Sequence, residues 1–167
     1  MKLISGVNIF IFIFITSVFA NEKVVYLDID YILSNSNKGR SIIKELDEKN
    51  KKNIIKLEES EKILKKKENE IENKKNILSK EELNIQIENL KKQILDFRKE
   101  KANMVKEFNL FKKKQISNLM KSINPIIAEY VKEKSINIVL DKKNILIGKT
   151  NYDITKDILV LVDNKIK

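Results

Sequence analysis

An apolar stripe with heptad spacing runs through the second half of the chain. Its members follow one another at alternating steps of four and three residues: Leu83, Ile87, Leu90, Ile94, Phe97, Met104, Phe108 and Phe111, with Lys101 as the single charged member. Such a period places one narrow apolar seam along an otherwise polar helix. The pattern therefore predicts a long helix that packs against one partner helix.

The preceding stretch carries a weaker version of the same pattern. One heptad position is held by Ile43, Leu57, Leu64, Ile71 and Leu78, with Asn50 in the gap. The alternate position carries Asn53, Ser60, Lys67 and Lys74. A helix of this kind buries half a seam at most.

A capping box separates the two halves. In the segment Ser79-Lys80-Glu81-Glu82, the serine can accept a hydrogen bond from the new helix while Glu82 reaches back to Ser79. Two half-seams joined at such a boundary bury each other most directly as an antiparallel hairpin. We predict a tip near residue 79 and a first arm over residues 41–78, roughly 57 Å long at 1.5 Å per residue. The alternative is one continuous coiled-coil rod through Ser79.

Short segments of β type flank the predicted arms. Residues 24–29 precede them, and residues 136–140 and 144–148 follow, all rich in valine, isoleucine and leucine. The polar residues 141–144 predict a turn that joins the last two segments as a β-hairpin, which the first segment must reach from far away in sequence.

A closing helix is predicted over residues 153–166. Asp153 or Thr155 can cap it, and its apolar face carries Ile154, Ile158, Leu161 and Val162. This face is large enough to cover one side of a three-stranded sheet, but the sheet edges still need a partner. We therefore predict an α+β fold, a long antiparallel helical hairpin on a small body that is completed by oligomerisation.

The first twenty residues predict export. Residues 3–19 form an apolar run broken only by small or uncharged residues, and Val18-Phe19-Ala20 places small residues at the two positions that a signal peptidase reads. We expect a cleavable signal peptide at residues 1–20. The alternative is an uncleaved anchor, at the lower length limit for spanning a bilayer.

Composition narrows the chemistry. The chain has a formal net charge of +10, with no cysteine, histidine or tryptophan, so neither disulfides nor a recognisable nucleophile and base are available. Asp28 and Asp30 form a carboxylate pair, but both fit turns or caps better than a metal or acid–base site. We predict no enzyme activity and no cofactor or metal. The lysines are either a solvated face or an anion-binding surface.

Several segments together resemble the Skp/OmpH family of periplasmic chaperones. They are the strand Val-Val-Tyr-Leu-Asp-Ile-Asp at residues 24–30, Ser36-Asn37-Lys38-Gly39 before the lysine- and glutamate-rich hairpin, and the residues 136–141 and 153–159 after it. The resemblance covers the whole chain. It implies a homotrimer in which strands from three chains form a small β-barrel body, and three helical hairpins enclose a cavity that holds unfolded outer-membrane proteins in the periplasm.

The resemblance also implies roles for particular residues. Assembly is expected at the body strands, through Val24, Val25, Leu27, Ile138, Val139, Leu140, Ile145 and Ile147. The candidate client contacts are Phe97, Met104, Phe108 and Phe111, which could equally just seal the hairpin seam. The candidate electrostatic contacts are Lys74, Lys75, Lys91 and Lys92 near the tip. Contact with anionic lipid or lipopolysaccharide is a further implication, although lysine stands almost everywhere in place of arginine, which disfavours any bidentate guanidinium site.

The resulting domain division is a signal peptide at residues 1–20, a body strand and turn at 21–40, helical arms at 41–122 and the rest of the body at 123–167.

The main alternative to the chaperone function is a structural or tethering coiled coil of the envelope, which would keep its N-terminus as an anchor. A basic nucleic-acid-binding protein is a third reading, and the export signal disfavours it.

Overall fold

The computed structural model describes residues 22–167, so the predicted signal peptide lies outside it. The described chain runs β1 (Val24–Leu27), α1 (Ile29–Asn35), α2 (Asn37–Lys74), α3 (Lys80–Glu133), β2 (Ile138–Asp141), two 3₁₀ turns (Lys142–Asn144 and Thr150–Tyr152) and α4 (Thr155–Lys165). No helix within residues 22–167 is long and apolar enough to cross a membrane.

The two long helices form the antiparallel hairpin and not a continuous rod. Residues 75–79 turn the chain, and the capping box between Ser79 and Glu82 is formed in both directions. Contacts between α2 and α3 follow an antiparallel order along the arm. Lys67 Nζ donates to Gln93 Oε1 at 2.6 Å, and Lys56 pairs with Glu100 at 2.6 Å. Nearer the body, Lys49 Nζ lies 5.1 Å from the centre of the Phe111 ring. The 38 residues of α2 make an arm of roughly 57 Å.

The seam follows the predicted stripes along most of its length. Every predicted apolar position of α3 from Leu83 to Phe111 is half-buried, and so are Leu57, Leu64 and Ile71 on α2 and Leu78 in the turn that follows it. Ile43 departs from the prediction, because it is exposed while Ile42 is buried and Leu46 is half-buried. Ile42 belongs to the body core and Leu46 packs against that core, so the buried face of α2 is set there by the body and not by the hairpin seam.

The body contains a parallel pair of strands. β1 pairs with β2 in the register Val24 to Ile138 and Leu27 to Asp141, which confirms that the first strand joins a distant segment. β1 ends earlier than predicted, because Asp28 caps α1 by accepting from the Tyr31 amide at 2.9 Å. The cap of this helix is thus Asp28, and Asp30 lies in its first turn.

The prediction of a third strand at residues 144–148 is wrong within a single chain. After the turn at Asp141, the chain bends across β1 and does not return along β2. Gly148 packs so closely on Tyr26 that an added Cβ would lie 2.7 Å from the ring, and the Tyr26 hydroxyl donates to the Lys149 carbonyl at 3.1 Å. Ile145 and Ile147 therefore lie outside any strand, and Ile147 is 90% exposed.

One hydrophobic core joins the body to the root of the arms. It is built from Val25, Leu27, Ile32, Ile42, Leu119, Ile123, Ile126, Ile136, Ile154, Ile158 and Val162. The predicted face of α4 is confirmed, since Ile154, Ile158 and Val162 are buried and Leu161 is half-buried. No side chain between Ile42 and Leu119 reaches full burial, so the apolar seam of the arms is only partly buried.

The end of α3 adopts a left-handed turn at a non-glycine residue. Ser135 has a φ of 49°, and the Ile136 amide reaches back to the Val131 carbonyl at 2.9 Å, as in a Schellman ending. Glycine adopts this conformation without steric cost. We expect Ser135→Gly to raise the free energy of unfolding by about 0.5–1 kcal/mol, measured by urea unfolding. A variant of equal or lower stability would contradict this.

Candidate functional site

The candidate sites among the described residues are exposed surfaces and not metal centres. Among residues 22–167, no group of histidine, cysteine, aspartate or glutamate side chains has the arrangement needed to hold a metal ion. The polar contacts of the body are structural. Tyr130 donates to Asp157 at 2.7 Å, and burial together with this hydrogen bond raises the pKa of Tyr130 to about 12. The hydroxyl therefore stays protonated and ties α3 to α4.

The predicted client contacts lie in the hairpin seam. Phe97, Met104, Phe108 and Phe111 are all half-buried against α2. Phe111 is also covered by the Lys49 ammonium, a favourable contact for an aromatic face. These residues have an intramolecular packing role, and their role as client contacts stays a prediction.

The seam is open to solvent on one side of the arm. A cleft of about 250 Å³ near its middle is lined by Leu64 and Phe97, and a second of about 170 Å³ nearer the tip by Ile71 and Leu90. Polar side chains line the same clefts, with Gln93 common to both. The arm thus exposes parts of its apolar seam without having to separate its helices.

The four predicted electrostatic residues lie near the tip, as their sequence positions require. Lys75 pairs with Glu72 at 3.5 Å and Lys91 pairs with Glu88 at 2.8 Å. Lys74 and Lys92 are exposed. Exposed pairs of this kind contribute about 0–1 kcal/mol each, so Lys75 and Lys91 remain available to other anions.

The predicted assembly residues divide into two groups. Val25 and Leu27 belong to the core of the protomer and Val139 packs against it half-buried, whereas Val24, Ile138 and Leu140 are exposed along the strand pair. A cavity of about 350 Å³ next to β1 is lined by Val24, Leu140, Ile145 and Ile147, among others. The second group thus forms an apolar body surface, made of Val24, Ile138, Leu140, Ile145 and Ile147, beside a sheet of only two strands.

Sequence reasoning missed a set of apolar residues that do not belong to the seam. Several are more than half exposed on the arms, among them Ile63, Leu95, Val105 and Leu110. They do not lie on the heptad stripe from which the sequence predicts the seam. Their signal in the sequence was their position off that stripe, in helices that are otherwise polar.

Comparison with known proteins gives two findings. Residues 23–161 match the sequence family described as "Outer membrane protein (OmpH-like)". The fold resembles the crystal structure of a protein from Caulobacter crescentus CB15 described as an OmpH-like outer membrane chaperone, with a TM-score of 0.80 at 18% identity over 89% of this chain and 88% of the other. No curated protein matches the chain.

Proposed function

The chain belongs to the family of OmpH-like outer membrane proteins, and from that premise we propose that it is a periplasmic holdase chaperone for unfolded outer-membrane proteins. The family is a chaperone family and not an enzyme family, which confirms the prediction that the chain is no enzyme. The proposal includes the predicted export signal, which lies outside the described residues.

The observation that carries the proposal is the separation of core and arms. All fully buried apolar side chains lie in the body and at the arm root, while an arm of roughly 57 Å presents partly exposed apolar and charged side chains. A holdase needs such a weakly apolar, adaptable surface, because its clients share no sequence and must leave again without an energy source.

A cavity requires more than one hairpin, so the proposal includes assembly into a homotrimer. The exposed apolar body surface supports this, because a two-stranded sheet is marginal and unpaired edges invite partners. Residues 144–148 would then find in a neighbouring chain the strand partner that they lack in their own.

Removing the arms tests the proposal directly. Lys49 and Phe111 face each other across the hairpin, so residues 50–110 can be replaced by a short glycine–serine linker while Ile42, Leu119 and the rest of the core are retained. We expect the shortened protein to stay folded and to lose all protection of a urea-unfolded outer-membrane β-barrel protein from aggregation, measured by light scattering.

The full chain in the same assay is the control, and its protection should persist at 0.15 M salt, because apolar contacts are not screened. Circular dichroism of the shortened protein verifies that its helices at the root and α4 remain. If the folded, armless protein still suppresses aggregation, holding does not take place between the arms.

A further inference from the structure

Seven of the nine basic residues between residues 91 and 116 of α3 lie on one face of the helix, with Lys101 and Lys114 as the exceptions. Between residues 91 and 116 that face carries Lys91, Lys92, Arg98, Lys99, Lys106, Lys112 and Lys113, all exposed. At 100° per residue these seven fall within about 160° of the helix circumference. The acidic residues of the same stretch, Asp96, Glu100 and Glu107, lie outside that arc.

Exposed apolar side chains lie inside the same arc. Leu95 is 54% exposed, Val105 53% and Ile116 37%, and Ala102 is exposed between them. We call this set of seven basic and four apolar residues the basic strip. It extends over roughly 38 Å of helix at 1.5 Å per residue and lies beside the seam with α2.

The lysines of α2 are arranged differently. That helix carries nine acidic residues against 12 basic ones, and two of its lysines pair with neighbours, Lys65 with Glu68 and Lys66 with Glu70. Residues 91–116 of α3 carry three acidic residues against nine basic ones. In the basic strip only Lys91 has an ion-pair partner within residues 22–167, namely Glu88. Solubility alone does not explain this difference, because interspersed charges of both signs serve it equally well.

We propose that the basic strip is the surface on which a client is first captured, and that it selects unfolded polypeptide segments in which acidic and apolar side chains occur together. This inference rests on the proposed holdase function. The lysines attract the acidic groups from a distance, and the apolar side chains between them then bury client side chains. The seam residues need not open for this contact, because every residue of the strip is already exposed.

Two charge-matched variants test the inference. Lys92→Glu, Lys99→Glu and Lys106→Glu reverse three charges in the basic strip, and Lys51→Glu, Lys52→Glu and Lys62→Glu reverse three exposed charges on α2. Both variants change the net charge by the same amount. The probe is an acidic outer-membrane β-barrel protein diluted from urea, with association followed by stopped-flow fluorescence at low salt.

We expect the strip variant to associate about tenfold more slowly and the α2 variant to stay within about twofold of the native protein. Equal slowing of both variants would overturn the inference, since net charge would then be sufficient. Unchanged association in both would overturn it while leaving the holdase function intact. Failure of the native protein to hold the client would instead overturn the proposed function, and the inference with it.

A second pair separates charge from apolar contact. The double variant Leu95→Ser with Val105→Ser should shorten the residence time of the client severalfold. The control variant Ile54→Ser with Ile55→Ser changes similarly exposed residues of α2 and should leave the residence time unchanged.

Vesicles of anionic phosphatidylglycerol provide the remaining comparison. Should the strip variants lose vesicle binding and keep client capture unchanged, the strip is a membrane surface and the inference is wrong.

Discussion

Replacing Gly39 by alanine is expected to destabilise the protein by about 3 kcal/mol. A Cβ at this position would lie 1.8 Å from the Leu33 carbonyl oxygen and 2.8 Å from the Ser36 hydroxyl. The first of these is backbone and cannot swing aside. The second is the buried cap of α2, which accepts from the Gly39 amide at 3.1 Å, so any shift that relieves the clash also disturbs the start of the arm.

The sign of this effect makes the measurement decisive. In an exposed helix, glycine to alanine stabilises by about 1 kcal/mol, so propensity alone predicts the opposite result. Urea unfolding followed by circular dichroism measures the change, and Ser41→Ala, at an exposed position two residues further along α2, serves as the control. A Gly39→Ala protein as stable as the native one would show that α1 and α2 separate at no cost.

The arms were predictable from the sequence because their determinants are local. The heptad seam from Leu83 to Phe111 and the capping box at Ser79 need no knowledge of the rest of the chain. The error at Ile43 lies at the root of the arm, where α2 enters the body core and Ile42 is buried in its place.

The body was predicted less well because contacts between distant residues decide it. Residues 144–148 have the composition of a strand, but the contact of Gly148 with Tyr26 directs them across β1. The start of α2 is likewise held from the other end of the chain, where Asp163 accepts from the Asn37 amide at 2.7 Å. No pattern within a sequence window reveals a partner more than a hundred residues away.

The candidate surfaces likewise divide into features that follow from local sequence and features that depend on distant contacts. The lysines and apolar residues of the basic strip can be read from α3 once the helix is established, because their helical positions follow from numbering. Which lysines of α2 pair with a neighbouring acidic residue, such as Lys65 with Glu68, could be told only from the structure. For the body, the exposure of Ile138 and Leu140 could not be told from the burial of Val25, since all three are apolar strand residues.

That distinction determines which substitutions report on assembly. Val25 is 2% exposed and packs within the protomer, so a charge there would unfold the body itself. Leu140 and Ile147 line the apolar body surface and are 44% and 90% exposed. A carboxylate at either position costs little in a single chain but must be buried if that surface packs against another copy.

Leu140→Asp combined with Ile147→Asp is therefore expected to convert the proposed trimer into monomers at micromolar concentration. Burying unpaired carboxylates costs several kcal/mol, and each interface of a trimer would carry that cost. Light scattering measures the mass, which should fall from about three chain masses to one, while circular dichroism should show unchanged helix content. Val160→Asp, at an exposed apolar residue of α4 away from this surface, should leave the mass unchanged. A double variant that keeps the native mass would place assembly elsewhere, and residues 144–148 would then have no interchain strand to complete.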